Sequence, residues 1–119
     1  MKIVYCTRTG NVEKAINKLN WNDTLKLVDG SERVNEDFIL FTYTDGQGVV
    51  PSIVEDFLNN NSRNLRAVIS SGNIERHPDT FNFAGIKLEN EYGVPLLAKL
   101  NKDGTDEDIK ELRDKLIKF

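Results

Sequence analysis

What this sequence is short of narrows its function before any motif is read. Its 119 residues include one cysteine, Cys6, and one histidine, His77. A disulfide framework or a dithiol redox pair needs a second cysteine, so both are excluded. A zinc or iron–sulfur site built by this chain alone lacks its ligands as well. Electrons that pass through such a protein must sit on a bound cofactor. Long apolar runs are missing too, and the N-terminus opens directly into the strand-like MKIVYC without a signal-peptide pattern. The expectation is a cytoplasmic protein with no membrane partner. Nor is there a basic excess: 16 Lys and Arg stand against 19 Asp and Glu, for a net charge of -3. That argues against nucleic acid as a partner, and the short acidic chain fits a monomer.

What is present is ordinary for one globular domain spanning 1–119, with 39% apolar and 29% charged residues. The apolar pattern alternates between two periods. Continuous runs at Ile3–Cys6, Phe38–Phe41, Ala67–Ile69 and Pro95–Ala98, with a weaker one at Leu25–Val28, read as buried strands. Between them lie stripes of helical spacing: Val12, Ala15, Ile16 and Leu19; Val50, Val54, Phe57 and Leu58; Phe81, Ala84, Leu88 and Tyr92; Ile109, Leu112 and Leu116. Thr105 precedes three acids and predicts a capped start for the last helix, which also accounts for the acidic run Asp103–Glu107. Strands alternating with helices predict an α/β fold, a parallel sheet covered on both faces. With five strands the expected order is 2-1-3-4-5, and ligands then bind beyond the carboxyl ends of the strands, beside strands 1 and 3.

The loops at that edge are chemically distinctive. The first, Thr7-Arg8-Thr9-Gly10-Asn11, joins strand 1 to a helix start, where backbone N–H groups and hydroxyls can hold an anion. The same residues also read as a simple helix cap and turn. The second, Thr42-Tyr43-Thr44-Asp45-Gly46-Gln47-Gly48, carries two glycines that allow close backbone approach to a flat ligand, and Pro51 after it suits a first helical turn. The third, Ser70-Ser71-Gly72-Asn73, exposes backbone groups at a strand end, and also reads as a turn. Neither a dinucleotide fingerprint nor a P-loop is present, and strand 1 does not end in the acids a phospho-receiver needs. Cys6 reads as a buried apolar residue and Trp21 as packing.

Taken together, these residues resemble a family. Thr7-Arg8-Thr9-Gly10-Asn11 is similar to the phosphate loop of flavodoxins. Thr42–Gly48 with Val50-Pro51, Val68–Asn73, Gly93-Val94-Pro95-Leu96-Leu97 and Gly104-Thr105 with Asp108 resemble the NrdI family, the flavodoxins associated with class Ib ribonucleotide reductase. The resemblance runs the length of the chain. It implies a flavodoxin-like three-layer sandwich that binds FMN and leaves the chemistry to the flavin, with no catalytic side chain. It implies as partners a flavin-reducing enzyme and the small, radical-bearing subunit of the reductase. The reduced flavin of that family reacts with dioxygen, and the superoxide-level oxidant drives assembly of a dimanganese–tyrosyl radical centre.

Carried onto this sequence, Thr7, Arg8, Thr9, Gly10 and Asn11 hold the phosphate. Tyr43, Thr44, Asp45, Gly46, Gln47 and Gly48 wrap one side of the ring, with Gly46 as the flipping peptide. Ser71, Gly72 and Asn73 face the other side. His77 either bonds the flavin edge or stands in solvent beside Pro78. The chain departs from the family at Ile74-Glu75-Arg76-His77, where Arg-Asn-aromatic-Gly is usual, and at Lys99-Leu100-Asn101-Lys102, where Lys-Phe-Glu-Leu is usual. An evenly mixed rim of Asp45, Glu75 and Asp79 against Arg8, Arg76 and His77 predicts a fully reduced flavin less disfavoured than in strongly acidic flavodoxins. Two other readings of the same residues are a general electron shuttle and a cofactor-free interaction domain of the same fold.

Overall fold

The apolar runs of the sequence become the middle of an all-parallel sheet in a computed structural model that describes residues 1–119. Its strands are β1 (Lys2–Tyr5), β2 (Thr24–Lys26), β3 (Phe38–Tyr43), β4 (Leu65–Gly72) and β5 (Leu96–Asn101). They lie in the order β2-β1-β3-β4-β5, as the alternation of periods predicts. Four helices connect and cover them: α1 (Asn11–Leu19), α2 (Ser52–Asn61), α3 (Phe83–Tyr92) and α4 (Asp106–Lys118).

Central strands read as unbroken apolar runs because both of their faces are covered. In β3, Ile39 and Phe41 pack with α1 and α4, whereas Phe38 and Leu40 pack with α2 and α3. The stripes behave accordingly. Val12, Ala15, Ile16 and Leu19 on α1, and Ile109, Leu112 and Leu116 on α4, are all buried on one side of the sheet. Val54, Phe57, Leu58, Ala84 and Leu88 fill the other side, where Phe57 meets Phe38 edge to face with ring centres 5.4 Å apart. Trp21 packs on the first cluster, and its indole N–H donates to the Met1 carbonyl at 2.8 Å.

Several boundaries differ from the sequence reading for identifiable reasons. Val28 is 80% exposed and outside β2, because its N–H turns away to the Glu32 carboxylate at 2.7 Å. Cys6 lies just past β1, although it is buried as expected. Val50 is buried but not helical: it precedes Pro51, which restricts it to extended geometry, and Pro51 itself is the residue before α2 rather than its first turn. Phe81 is separated from its stripe by Asn82, which is buried in a left-handed conformation (φ 60°) and breaks the helical register before α3 begins. The Asn82 carboxamide accepts from Ser70 Oγ at 2.6 Å and donates to the Leu100 carbonyl at 3.1 Å, fixing the ends of β4 and β5 from below.

Candidate functional site

A cleft of about 390 Å3 opens beyond the carboxyl ends of β1, β3 and β4. Its size falls within the usual range for small-molecule pockets, roughly 300–1,000 Å3. Twelve of the residues singled out from the sequence line it: Thr7, Arg8, Thr9, Asn11, Tyr43, Thr44, Asp45, Gly46, Ser71, Gly72, Asn73 and His77. Gly10, Gln47 and Gly48 do not line it, and Val12 and Arg76 do. Val12 was legible only as core, since it belongs to the buried stripe of α1.

The first wall is the loop between β1 and α1. Gly10 takes φ 94°, a left-handed geometry that a side chain disfavours, and its N–H donates to Thr7 Oγ1 at 3.2 Å. The first helical bond runs from the Lys14 N–H to the Gly10 carbonyl, 2.9 Å. That leaves the amides of Asn11, Val12 and Glu13 without an intrahelical partner, and no side chain caps them. The sequence left cap and anion site open as readings of this loop; in the fold Thr9 and Asn11 do not cap.

The second wall begins as β3 ends. Thr44 N–H donates to the Ser71 carbonyl at 2.9 Å, and Asp45 and Val49 exchange two backbone bonds of 2.8 Å that pinch 45–49 into a small hairpin. Gly48, at φ 90°, sits where a side chain would overlap Phe83 and Thr80; its role is loop packing, away from the cleft. Arg8 spans the first and second walls. It pairs with Asp45 at 3.1 Å and lies 5.6 Å from the centre of the Tyr43 ring. Tyr43 both lines the cleft and packs on the apolar core, and its hydroxyl is held above its ordinary range, mainly by burial. Burial likewise pushes the Cys6 thiol up to about 11, with Tyr43 acting against it. The Thr44 hydroxyl is buried without a partner, the only such side-chain atom in the protein.

The third wall is a tightly tied turn. The Asn73 side-chain oxygen accepts from the amides of Glu75 and Arg76 at 3.1 and 3.2 Å, and the Asn73 carbonyl accepts from the His77 amide at 2.9 Å. The turn brings Arg76 and His77 to the cleft, while Glu75 points away to Lys102 at 3.2 Å. Of the rim acids, only Asp45 lines the cleft, and Asp79 does not. Two arginines thus face one aspartate in a chain whose net charge is -3. The lining is more cationic than the even mixture expected from the sequence.

Comparisons with known proteins agree with this architecture. Residues 3–114 match the model of the family described as NrdI Flavodoxin like. The chain is 41% identical over 116 residues to Protein NrdI of Macrococcus caseolyticus (strain JCSC5402), covering 98% of this chain and 88% of that protein. Among solved structures, it is similar to the Streptococcus pneumonia TIGR4 flavodoxin, with a TM-score of 0.65, 26% identity, and 95% and 92% of the two chains covered. A short-chain flavodoxin associated with a non-canonical PDU bacterial microcompartment superposes with a TM-score of 0.71 over 95% and 90% of the chains; at 20% identity that likeness speaks for the fold alone.

Proposed function

The chain belongs to the NrdI flavodoxin-like family, and from that premise we propose that its cleft binds FMN and serves assembly of the dimanganese–tyrosyl radical cofactor of class Ib ribonucleotide reductase. The partners in this reading are a flavin-reducing enzyme and the reductase's small subunit. One observation carries the cofactor assignment: the uncapped first turn of α1 opens onto a cleft whose other walls are two polar loops. Three free amides at a positive helix end suit a phosphate. The unpartnered Thr44 hydroxyl in the same lining fits as well, since a buried polar atom of this kind normally has a partner.

Bound FMN supplies the one- and two-electron chemistry, including reaction of its reduced form with dioxygen. The chain's residues bind and orient it. Thr7, Thr9 and the amides of Asn11–Glu13 receive the phosphate, with Arg8 adding charge. Tyr43 to Gly46 stand along one side of the ring, and Ser71 to Asn73 along the other. Arg8 and Arg76 outweigh Asp45 and favour negative charge on the ligand. No membrane-spanning segment enters this reading, as no helix is long and apolar enough to cross a membrane.

The test is a visible spectrum of the protein with FMN, followed by anaerobic reduction and exposure to air. Flavin bands that bleach and return quickly in air, together with binding of the reductase's small subunit, are the expected result. A protein-bound flavin that stays reduced in air would favour an electron shuttle instead. Absence of binding at micromolar FMN would sink the proposal and leave an interaction domain of this fold.

A further inference from the structure

The third wall of the cleft is tied within its own turn from residue 75 onward and held from outside before it. That outside support comes from the last residue of β5 and the turn to α4, residues 101–104, none of which lines the cleft. Lys102 takes a left-handed backbone (φ 56°) that a lysine adopts at a cost. That geometry uses both of its backbone groups on β4: its N–H donates to the Gly72 carbonyl at 2.7 Å, and its carbonyl accepts from the Ser71 hydroxyl. One residue earlier, the exposed Asn101 accepts from the Ile74 amide through Oδ1 at 3.1 Å. The Lys102 ammonium adds the Glu75 carboxylate from outside.

The amides of residues 75–77 are tied within the turn by Asn73, so the Ile74 amide is the one in that run held from elsewhere. The same 101–104 turn is also gripped from the opposite side. Lys18 of α1 reaches the Gly104 carbonyl at 2.8 Å and Asp103 at 2.9 Å. The helix that forms the first wall and the loop that forms the third therefore share one anchor.

We propose that Asn101 is a positioning residue for the cleft: through Oδ1 it sets the peptide run Gly72–Ile74, and so the wall that would face a flat ligand. The proposal rests on the FMN reading for its ligand, but the positioning itself belongs to the free protein. A residue that touches nothing in the cleft then governs how well the cleft is formed.

The experiment compares wild type, Asn101→Ala and Asn101→Asp. Aspartate keeps an acceptor at the same reach, and the position is exposed, so the variants should retain the wild-type melting temperature. Amide hydrogen exchange of the free protein is read at residues 72–76, and FMN affinity by quenching of flavin fluorescence. Asn101→Ala should speed exchange at Ile74 and weaken FMN about fivefold, the range expected for one hydrogen bond, and Asn101→Asp should restore slow exchange. Unchanged exchange at Ile74 in Asn101→Ala, or loss that Asn101→Asp does not recover, overturns the positioning role. Wild type that exchanges as expected but binds no FMN would overturn the cofactor reading while supporting the anchor.

Discussion

Helices α1 and α4 lie side by side on one face of the sheet, yet their N-termini are finished in opposite ways. At α4, Thr105 Oγ1 accepts from the Asp108 amide at 3.1 Å while the Asp108 carboxylate accepts from the Thr105 amide at 3.0 Å. That reciprocal box pairs the Thr105 and Asp108 amides from within the chain, with Asp106 and Glu107 adding negative charge at the positive helix end. At α1 the corresponding residue is Gly10, with no side chain to offer, and Glu13 is the sole acid of the first turn. Glu13 itself turns to Lys26 at 2.9 Å. A chain that can build a capping box with three acids at one helix and leaves its neighbour open next to a cleft has spent stability where a ligand can return it.

The comparison breaks most visibly if the open end is closed with a charge. Thr9→Asp should place a carboxylate at the positive end of α1 and repel a phosphate. FMN affinity should fall roughly 100-fold, with stability of the free protein unchanged or slightly raised. Fluorescence titration and urea unfolding read the two effects separately. Wild-type affinity in this variant would place the phosphate elsewhere. The converse change is Thr105→Ala at α4, which should cost about 1 kcal/mol of stability and leave FMN affinity untouched. An affinity loss there beyond the effect on folding would mean that the two helix ends are not independent.

The sequence carried most of this contrast. Thr105 followed by acids reads as a cap because the needed side chains are local, and Thr-x-Thr-Gly-Asn marks a helix start without saying whether it is filled from inside or outside. Only the fold shows that Thr7 Oγ1 takes the Gly10 amide and that nothing takes the next three. Strand order was legible because periodicity and crossover handedness leave few arrangements. That Gly48 lies off the cleft lining has a long-range reason: two glycines in one loop look alike in sequence, while what surrounds them, open space for Gly46 and Phe83 for Gly48, is set by distant chain. Arg76 was legible as a rim residue, and its turn is tied locally by Asn73; Asn101 behind the cleft escaped for a long-range reason, since its bond to Ile74 crosses from another element.

A finer comparison concerns charge across the cleft mouth, where Arg8 and Asp45 neutralise each other at 3.1 Å, both partly exposed. Removing either partner leaves the other uncompensated beside the proposed ring. Asp45→Asn should raise the potential for full reduction of bound FMN, and Arg8→Ala should lower it, each by an amount on the order of tens of mV and smaller at high salt. Potentiometric titration of the FMN-loaded variants decides it. Shifts of the same sign in both would show that the pair acts by shaping the loop and not by its charge.

The smallest expected effect lies where the two helices are joined, at the pair of Lys18 on α1 and Asp103 ahead of α4. The hydrogen bond from Lys18 holds the Asp103 carboxyl below its ordinary value of 3.8, with the Asp103 amide and Lys14 helping and burial opposing. A carboxylate whose folded value is depressed contributes stability above its unfolded value, and that contribution disappears as pH falls through the folded one. Wild type should therefore lose more stability than Asp103→Asn between about pH 5 and about pH 3. Because a third of each side chain is exposed, the difference should be only a few tenths of a kcal/mol, readable as a change in the slope of urea midpoint against pH. Equal slopes would show that the carboxylate titrates alike in the folded and unfolded chain. Lys18 would then hold this turn through the Gly104 carbonyl alone, a bond that no acid in this range can break.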